Sequence, residues 1–461
     1  MKIGALIENG PMDWQIIQQV NGKTDIYLAG SWASEEESSQ LKVFVRIVRE
    51  DTGAVVIPWQ TCEELEERKW KTTIRDVPSG GLYRIESCLT RSDNNAIEWN
   101  TRGDMIHHVG VGDLYVIAGQ SNSAGYGKDF IFDPPEIGIH LLKNSGKWDL
   151  ASHPMNESTG TIHEDNREGA NPGHSPYLSF ARQLKRELGY PIGLVQAALG
   201  GSPLSAWNPE EDGILYRNMM NIINSQGNMI KGILWYQGCS DTTEGLSDSY
   251  LDRFESMVSH LRGELKDVNL PILTVQLNRM VSPSTEIADR CWGKVREAQR
   301  QAANKINKVF VVPSTDCALS DFIHNSSSAN LVLGERLAGI ALRHIYGRST
   351  GFQAPDLAEA RKVDKDRISL IFNHVNNRLY TFEVSADALA ISVQDDDGFA
   401  QIRSYEIENE NTLTITLDRE LKGRCQVHGA YEQNPKHAVP IDYASHIPIL
   451  SFYGVYVLER L

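Results

Sequence analysis

The chain has 461 residues, 41% hydrophobic and 23% charged, a balance ordinary for globular protein and long enough for two or three separate cores. Sixty acidic against 45 basic residues leave a formal charge of −15, the opposite of the basic footprint that nucleic acid or an anionic membrane requires. No apolar run approaches the roughly 20 residues that cross a bilayer. The start carries one Lys and an apolar stretch cut short at Glu8, unlike a secretory leader, so a cytoplasmic location is expected.

Residues 1–108 are β-rich. Short strand-like runs at 25–29, 42–48, 54–57 and 82–89 are separated by the turn signals Asn21-Gly22, Thr52-Gly53 and Ser79-Gly80-Gly81. This pattern predicts a β-sandwich-like accessory domain, with Glu35-Glu36-Glu37 in a solvated loop. From 109 to 347 the texture changes to α/β. Apolar runs at 114–118, 192–197, 232–236, 272–277 and 309–313 alternate with helical stripes such as Tyr177, Phe180, Ala181, Leu184, Leu188 and Tyr250, Phe254, Met257, Val258, Leu261. Ser175-Pro176 suits a helix start, with Ser as cap and Pro in the first turn. Strands apolar at every position imply a parallel sheet covered on both faces. Residues 348–461 return to a β-rich texture, with runs at 368–372, 379–384, 389–393, 412–417 and 452–457. Asn376-Asn377 predicts a tight hairpin between the first two.

Six scattered cysteines, Cys62, Cys88, Cys239, Cys291, Cys317 and Cys425, form no CxxC pair and are expected to be reduced, a Cys62–Cys88 bridge being the open alternative. His163-Glu164 lacks the second His of a metalloprotease helix, so neither metal nor cofactor is expected.

In a parallel sheet, ligands bind beyond the carboxyl ends of the strands. The residues that follow the apolar runs are Gly119-Gln120-Ser121-Asn122-Ser123-Ala124-Gly125, then Leu199-Gly200-Gly201-Ser202-Pro203, then Gln237-Gly238-Cys239-Ser240-Asp241, then Asn278-Arg279, and finally Ser314-Thr315-Asp316 with Asp321-Phe322-Ile323-His324. Each has a plainer reading alone: a strand–helix turn, a loop, a surface charge. Together they gather a hydroxyl, glycine N–H donors, an amide and an acid–imidazole pair on one edge. Ser121 is not in a GxSxG elbow, because Ser123 stands where the second Gly belongs, and Lys128 followed by Asp129 fails as a phosphate loop.

The ordered set GQSNSAG, ALGGSP, WYQGCSD and DFIH resembles the carbohydrate-esterase branch of the SGNH hydrolases, which includes sialate O-acetylesterases and acetylxylan esterases. The segments 106–113, Val295-Arg296-Glu297-Ala298-Gln299 and Gly334-Glu335-Arg336-Leu337-Ala338 are similar to that branch too, and the resemblance covers about 106–347. It implies a flavodoxin-like three-layer catalytic domain and removal of O-acetyl groups from a mono- or oligosaccharide without a cofactor. Residue by residue, it implies Ser121 as nucleophile and Asp321 with His324 as its partners. Ser121, Gly201 with Gly200 beside it, and Gln237 become the oxyanion donors. Gln120, Asn122 and Arg279 are candidate substrate contacts. Cys239 stands where related sequences usually carry Glu, and Asn325 where Pro usually follows the His.

The chemistry needs these residue types. A serine hydroxyl attacks an ester only when a neutral imidazole takes its proton, and a carboxylate orients the ring. Two alternatives carry different expectations: an SGNH lipase or thioesterase prefers longer acyl chains, and a non-catalytic carbohydrate-binding protein hydrolyses nothing. Arg279 has two readings, a salt-bridged loop anchor or a planar fork for a sugar carboxylate.

Overall fold

The computed structural model describes residues 3–35, 40–91, 102–382 and 385–459. The end of the acidic cluster at 36–37 and the end of the 379–384 run lie outside them. At the centre is a parallel sheet built from β1 (Arg102–Gly119), β2 (Ile139–Leu142), β4 (Ile192–Gln196), β5 (Gly232–Tyr236), β6 (Ile272–Val275) and β7 (Val309–Val312), with β3 (Trp148–Leu150) antiparallel at one edge. The order is β3-β2-β4-β1-β5-β6-β7. Without the β2–β3 hairpin this is the flavodoxin order, whose ligand crevice opens where the chain leaves the first strand towards opposite sides. That place is the end of β1. Every residue of β4, β5 and β6 is buried, as their unbroken apolar sequences require.

Helices cover the sheet. A single turn, α1 (Ser121–Ala124), follows β1 directly. The longer helices are α2 (Tyr177–Leu188), α3 (Ile214–Ser225), α4 (Leu246–Leu265), α5 (Glu286–Lys305) and α6 (Ser327–His344), with α2 packed on α6 and α4 on α5. The predicted stripes of α2 and α4 are the buried faces; Phe180, Leu184, Phe254 and Leu261 all lie in the main core. The Ser175 cap is a correction: its hydroxyl is buried without a partner, and Pro176 occupies the capping position.

The change of texture near residue 108 falls inside β1, whose 18 residues serve two sets of neighbours. Its first half pairs with Gly80–Arg91 and Ile16–Gln18, its second with β4 and β5. Gly110 and Gly112 make this possible. A Cβ on Gly112 would stand 1.8 Å from the Pro191 carbonyl oxygen, so no larger residue passes there. In the N-terminal region, strands such as Lys23–Ala33, Lys69–Pro78 and Leu41–Arg49 bury one apolar cluster around Trp70, Ile74, Val45 and Ile85.

Beyond residue 350, two four-stranded antiparallel sheets share a core of Ile368, Leu370, Val393, Ile415, Val427 and Phe452. Thr412–Leu417 forms the expected strand. The Asn376-Asn377 hairpin does not form. Leu379–Tyr380 pairs instead with Ile441–Asp442, and Asp442 Oδ1 accepts the N–H groups of Asn376 and Asn377 at 2.9 and 3.1 Å. This part is fastened to the central sheet by buried Arg296, which donates to the carbonyls of Leu277 and Asn278 on one side and Ala430, Tyr431 and Glu432 on the other. All six cysteines are free thiols.

Candidate active site

Ser121 opens α1 immediately after β1. The chain turns sharply there because Gly119 adopts φ +119°, and a Cβ at that position would lie 2.4 Å from the Tyr236 carbonyl oxygen of β5. As the first residue of a helical turn, Ser121 keeps an N–H that no carbonyl of the turn can take. Gly201 closes the turn after β4 at φ +69°. Among the described residues, neither N–H is engaged in a hydrogen bond.

His324 sits on a loop closed at its base by two bonds, Ser320 N–H to His324 O and Ser326 N–H to Ala318 O, both 2.8 Å. Its Nδ1 meets Asp321 Oδ2 at 2.7 Å, while Asp321 Oδ1 accepts the N–H groups of Ile323 and His324 at 2.9 and 2.8 Å. Partial burial pushes the Asp321 pKa up, but the imidazole and the two N–H donors outweigh it and hold the carboxyl below its usual range. Among the described residues the far nitrogen, Nε2, takes no partner.

The link to Ser121 is made by its neighbour. Asn122 Oδ1 accepts the Asn325 N–H at 3.0 Å, and its Nδ2 donates to the Ile323 carbonyl at 3.3 Å, so one amide clasps the chain on both sides of His324. Asn278, just beyond β6, donates to the same carbonyl at 2.7 Å and to Asn325 Oδ1 at 2.8 Å. The Tyr126 ring stacks on the imidazole, 4.8 Å between centroids. Serine, imidazole, carboxylate and free N–H groups are thus gathered at the end of β1.

Several expectations need correction. Gln237 is wholly buried, and its amide donates to Asp241 Oδ2 at 2.6 Å and to the Ser202 carbonyl at 3.2 Å, which uses both of its hydrogens. The cause is Asp241, a carboxylate with no exposure that draws its donors from Gln237, the Leu204 N–H and Arg253. Gln237 therefore braces the site and leaves the oxyanion to other donors. The Gly200 N–H is also committed, to Glu168 Oε2 at 3.0 Å, which leaves Gly201. Gln120 and Asn122 are buried, not open to a ligand; Gln120 Oε1 accepts the N–H groups of Gly238 and Ser240. Arg279 runs beside the histidine loop, since the next residue but one, Val281, donates its N–H to the Phe322 carbonyl at 2.7 Å. Its guanidinium makes one long bond, 3.4 Å, to the Cys317 carbonyl, and among the described residues its buried Nε has no partner and no carboxylate pairs with it. Cys239 is partly buried, and its desolvation pushes the thiol up to about 12.

Sequence reasoning missed Tyr126 and Glu168. Nothing in the spacing of either points to the site; Glu168 arrives from an aperiodic loop. It also missed Asp133, His153 and His174, whose ligand-type atoms lie within 4.8 Å of one another. Both imidazole Nε2 atoms meet Asp133 Oδ2, at 3.1 and 3.0 Å, while Arg182 takes Oδ1 at 2.7 Å. The two rings are stacked, 3.9 Å apart and tilted by 27°, and both Nε2 atoms are already spent on the one carboxylate oxygen. A cation already neutralises the carboxylate, and the donor set fits a buried ion network better than a metal.

The three-layer α/β fold presents this constellation at its strand edge, and its relatives give the class, a carboxylic ester hydrolase of the carbohydrate acetylesterase kind. A family model described as carbohydrate esterase, sialic acid-specific acetylesterase, matches residues 111–343, half of the chain, and the chain belongs to that family. A probable carbohydrate esterase of Arabidopsis thaliana is 31% identical over 248 residues, 49% of this chain and 88% of that protein. The human sialate O-acetylesterase is 24% identical over 238 residues, and the match spans only 42% of either chain. A crystal structure of a carbohydrate acetylesterase from Xanthomonas citri superposes with a TM-score of 0.68 at 19% identity, covering 96% of this chain and 97% of its own. At that identity it shows a shared fold.

Proposed function

We propose that the chain removes O-acetyl groups from an acidic sugar through an acetyl-enzyme on Ser121. The observation that carries this reading is the Asn122 clasp, which brackets His324 from the residue next to Ser121 while the N–H groups of Ser121 and Gly201 stay free. In the first step His324 Nε2 takes the Ser121 proton as Oγ bonds to the acetyl carbonyl carbon. The two free N–H groups receive the oxyanion, and Asp321 stabilises the imidazolium. The C–O bond to the sugar then breaks, and His324 returns its proton to the departing sugar oxygen. Water, deprotonated by the same imidazole, releases acetate and restores Ser121.

Arg279 supports the acidic class of sugar. A part-buried guanidinium with no carboxylate partner among the described residues, beside the histidine loop, can receive a sugar carboxylate through its planar fork. The −15 charge of the chain repels such substrates, which makes a local cation more necessary. The family description and the human relative's name point the same way. The test is Arg279→Ala, assayed on an O-acetylated sialic acid and on a neutral acetylated xylo-oligosaccharide. The expected result is a raised KM on the acidic sugar alone. Equal losses on both, or a wild-type preference for the neutral one, would return Arg279 to holding its loop.

A further inference from the structure

Between β3 and α2 lies a stretch of about 25 residues whose one helical element is the short turn Glu164–Asn166. Irregular segments of this length in a compact fold are generally functional. This one carries unusually buried amides: Asn144, at its base, and Asn156 and Asn166 within it are all at most 1% exposed. Asn166 donates to Asn144 Oδ1 at 3.3 Å, Asn144 to Asn156 Oδ1 at 2.9 Å, and Asn156 to Glu168 Oε2 at 3.0 Å. The ladder ends on Glu168. That same oxygen accepts the Gly200 N–H, and beside the carboxylate, against the same turn, stands the hydroxyl of Tyr126, whose ring lies on His324. A Cβ on Gly200 would stand 2.9 Å from one Glu168 oxygen and 3.1 Å from the Tyr126 hydroxyl, so turn, carboxylate and phenol are in mutual contact.

We propose that Glu168 is a positioning residue: it ties the Gly200–Gly201 turn to the aromatic shelf of His324, and so sets the oxyanion donor and the general base in register. This rests on the serine mechanism proposed above. The carboxylate suits the role because it accepts on both oxygens, whereas an amide has one acceptor and would turn an N–H towards donors. Its benefit falls mainly on the transition state, where the Gly201 N–H meets a full oxyanion.

The test is Glu168→Gln, with Tyr126→Phe as the second variant that keeps the stacked ring. Thermal melting, kcat and KM on 4-nitrophenyl acetate, and the rate of Ser121 phosphonylation by an organophosphonate are read together. For Glu168→Gln the expected result is a kcat lower by about 10- to 100-fold, KM within about twofold, and phosphonylation slowed in proportion. Tyr126→Phe should lose about 3- to 10-fold in kcat by the same route. A folded Glu168→Gln with a lower melting temperature but unchanged kcat would overturn the proposal. If that variant does not fold, an unchanged kcat in Tyr126→Phe overturns it. Failure of the underlying mechanism would look different: Ser121→Ala would then keep its activity whatever the Glu168 variants do.

Discussion

The Asn122 clasp lends itself to a double-mutant cycle with Asn278. In Asn122→Ala, the buried Asn325 N–H loses its acceptor, whereas the Ile323 carbonyl keeps its bond from Asn278. One orphaned buried donor costs about 1–3 kcal/mol. In Asn278→Ala the same carbonyl keeps Asn122, but the buried Asn325 Oδ1 loses its donor, and about 1–3 kcal/mol is again expected. The double variant strips that carbonyl of both donors, so its loss should exceed the sum of the single losses by about 1 kcal/mol. Activity should follow geometry. Both clasped groups flank His324, and a displacement near 1 Å at a general base costs about 100-fold in rate. Urea titration gives the stabilities, and kcat on 4-nitrophenyl acetate gives the catalytic effect. Additivity to within about 0.3 kcal/mol, or an Asn122→Ala enzyme with nearly full kcat, would refute the view that this amide frames the imidazole.

Ser121→Ala should fold normally and lose almost all esterase activity, and an organophosphonate that labels the wild-type protein should fail to label it; near-wild-type turnover would remove Ser121 from the mechanism. Exhaustive chelation should leave the rate unchanged, because Asp133 is already paired with Arg182 and bonded to His153 and His174; a loss reversed by zinc or manganese would reassign that cluster to a metal. Acid should destabilise the fold well before the carboxylates titrate. Burial holds His140 and His428 down to about 4, so between about 6.5 and 4 the unfolded chain binds two protons that the folded one refuses. Stability is full above that window and falls through it, by about 3 kcal/mol for each imidazole. Urea midpoints at pH 7 and pH 4.5 measure the fall, and His140→Gln with His428→Gln should flatten it.

The parts of this fold that were legible in the sequence are those where one physical demand acts alone. A strand covered on both faces must be apolar throughout, so β4, β5 and β6 announce themselves, and the polar residues that follow them must stand at a common edge. That edge is where Ser121, Gly201, Asp321 and His324 are found. Legibility fails where a residue answers to a distant partner. Alternating valine and glycine at 109–112 read as a change of region because the Pro191 backbone that requires Gly112 lies some eighty residues onward. Asn376-Asn377 looks like a hairpin until Asp442 supplies the acceptor for both N–H groups. Gln237 is the sharpest case at the site itself. Its position after β5 brings it to the right edge, but the fully buried Asp241 four residues later needs its amide more than an oxyanion does. Arg279 shows the converse. Its place after an apolar run brought it to the catalytic edge, but only the assembled structure reveals that no carboxylate among the described residues claims it. A motif thus tells which side chains reach the catalytic edge, whereas the hydrogen bonds already spent there decide which of them remain free to meet a substrate.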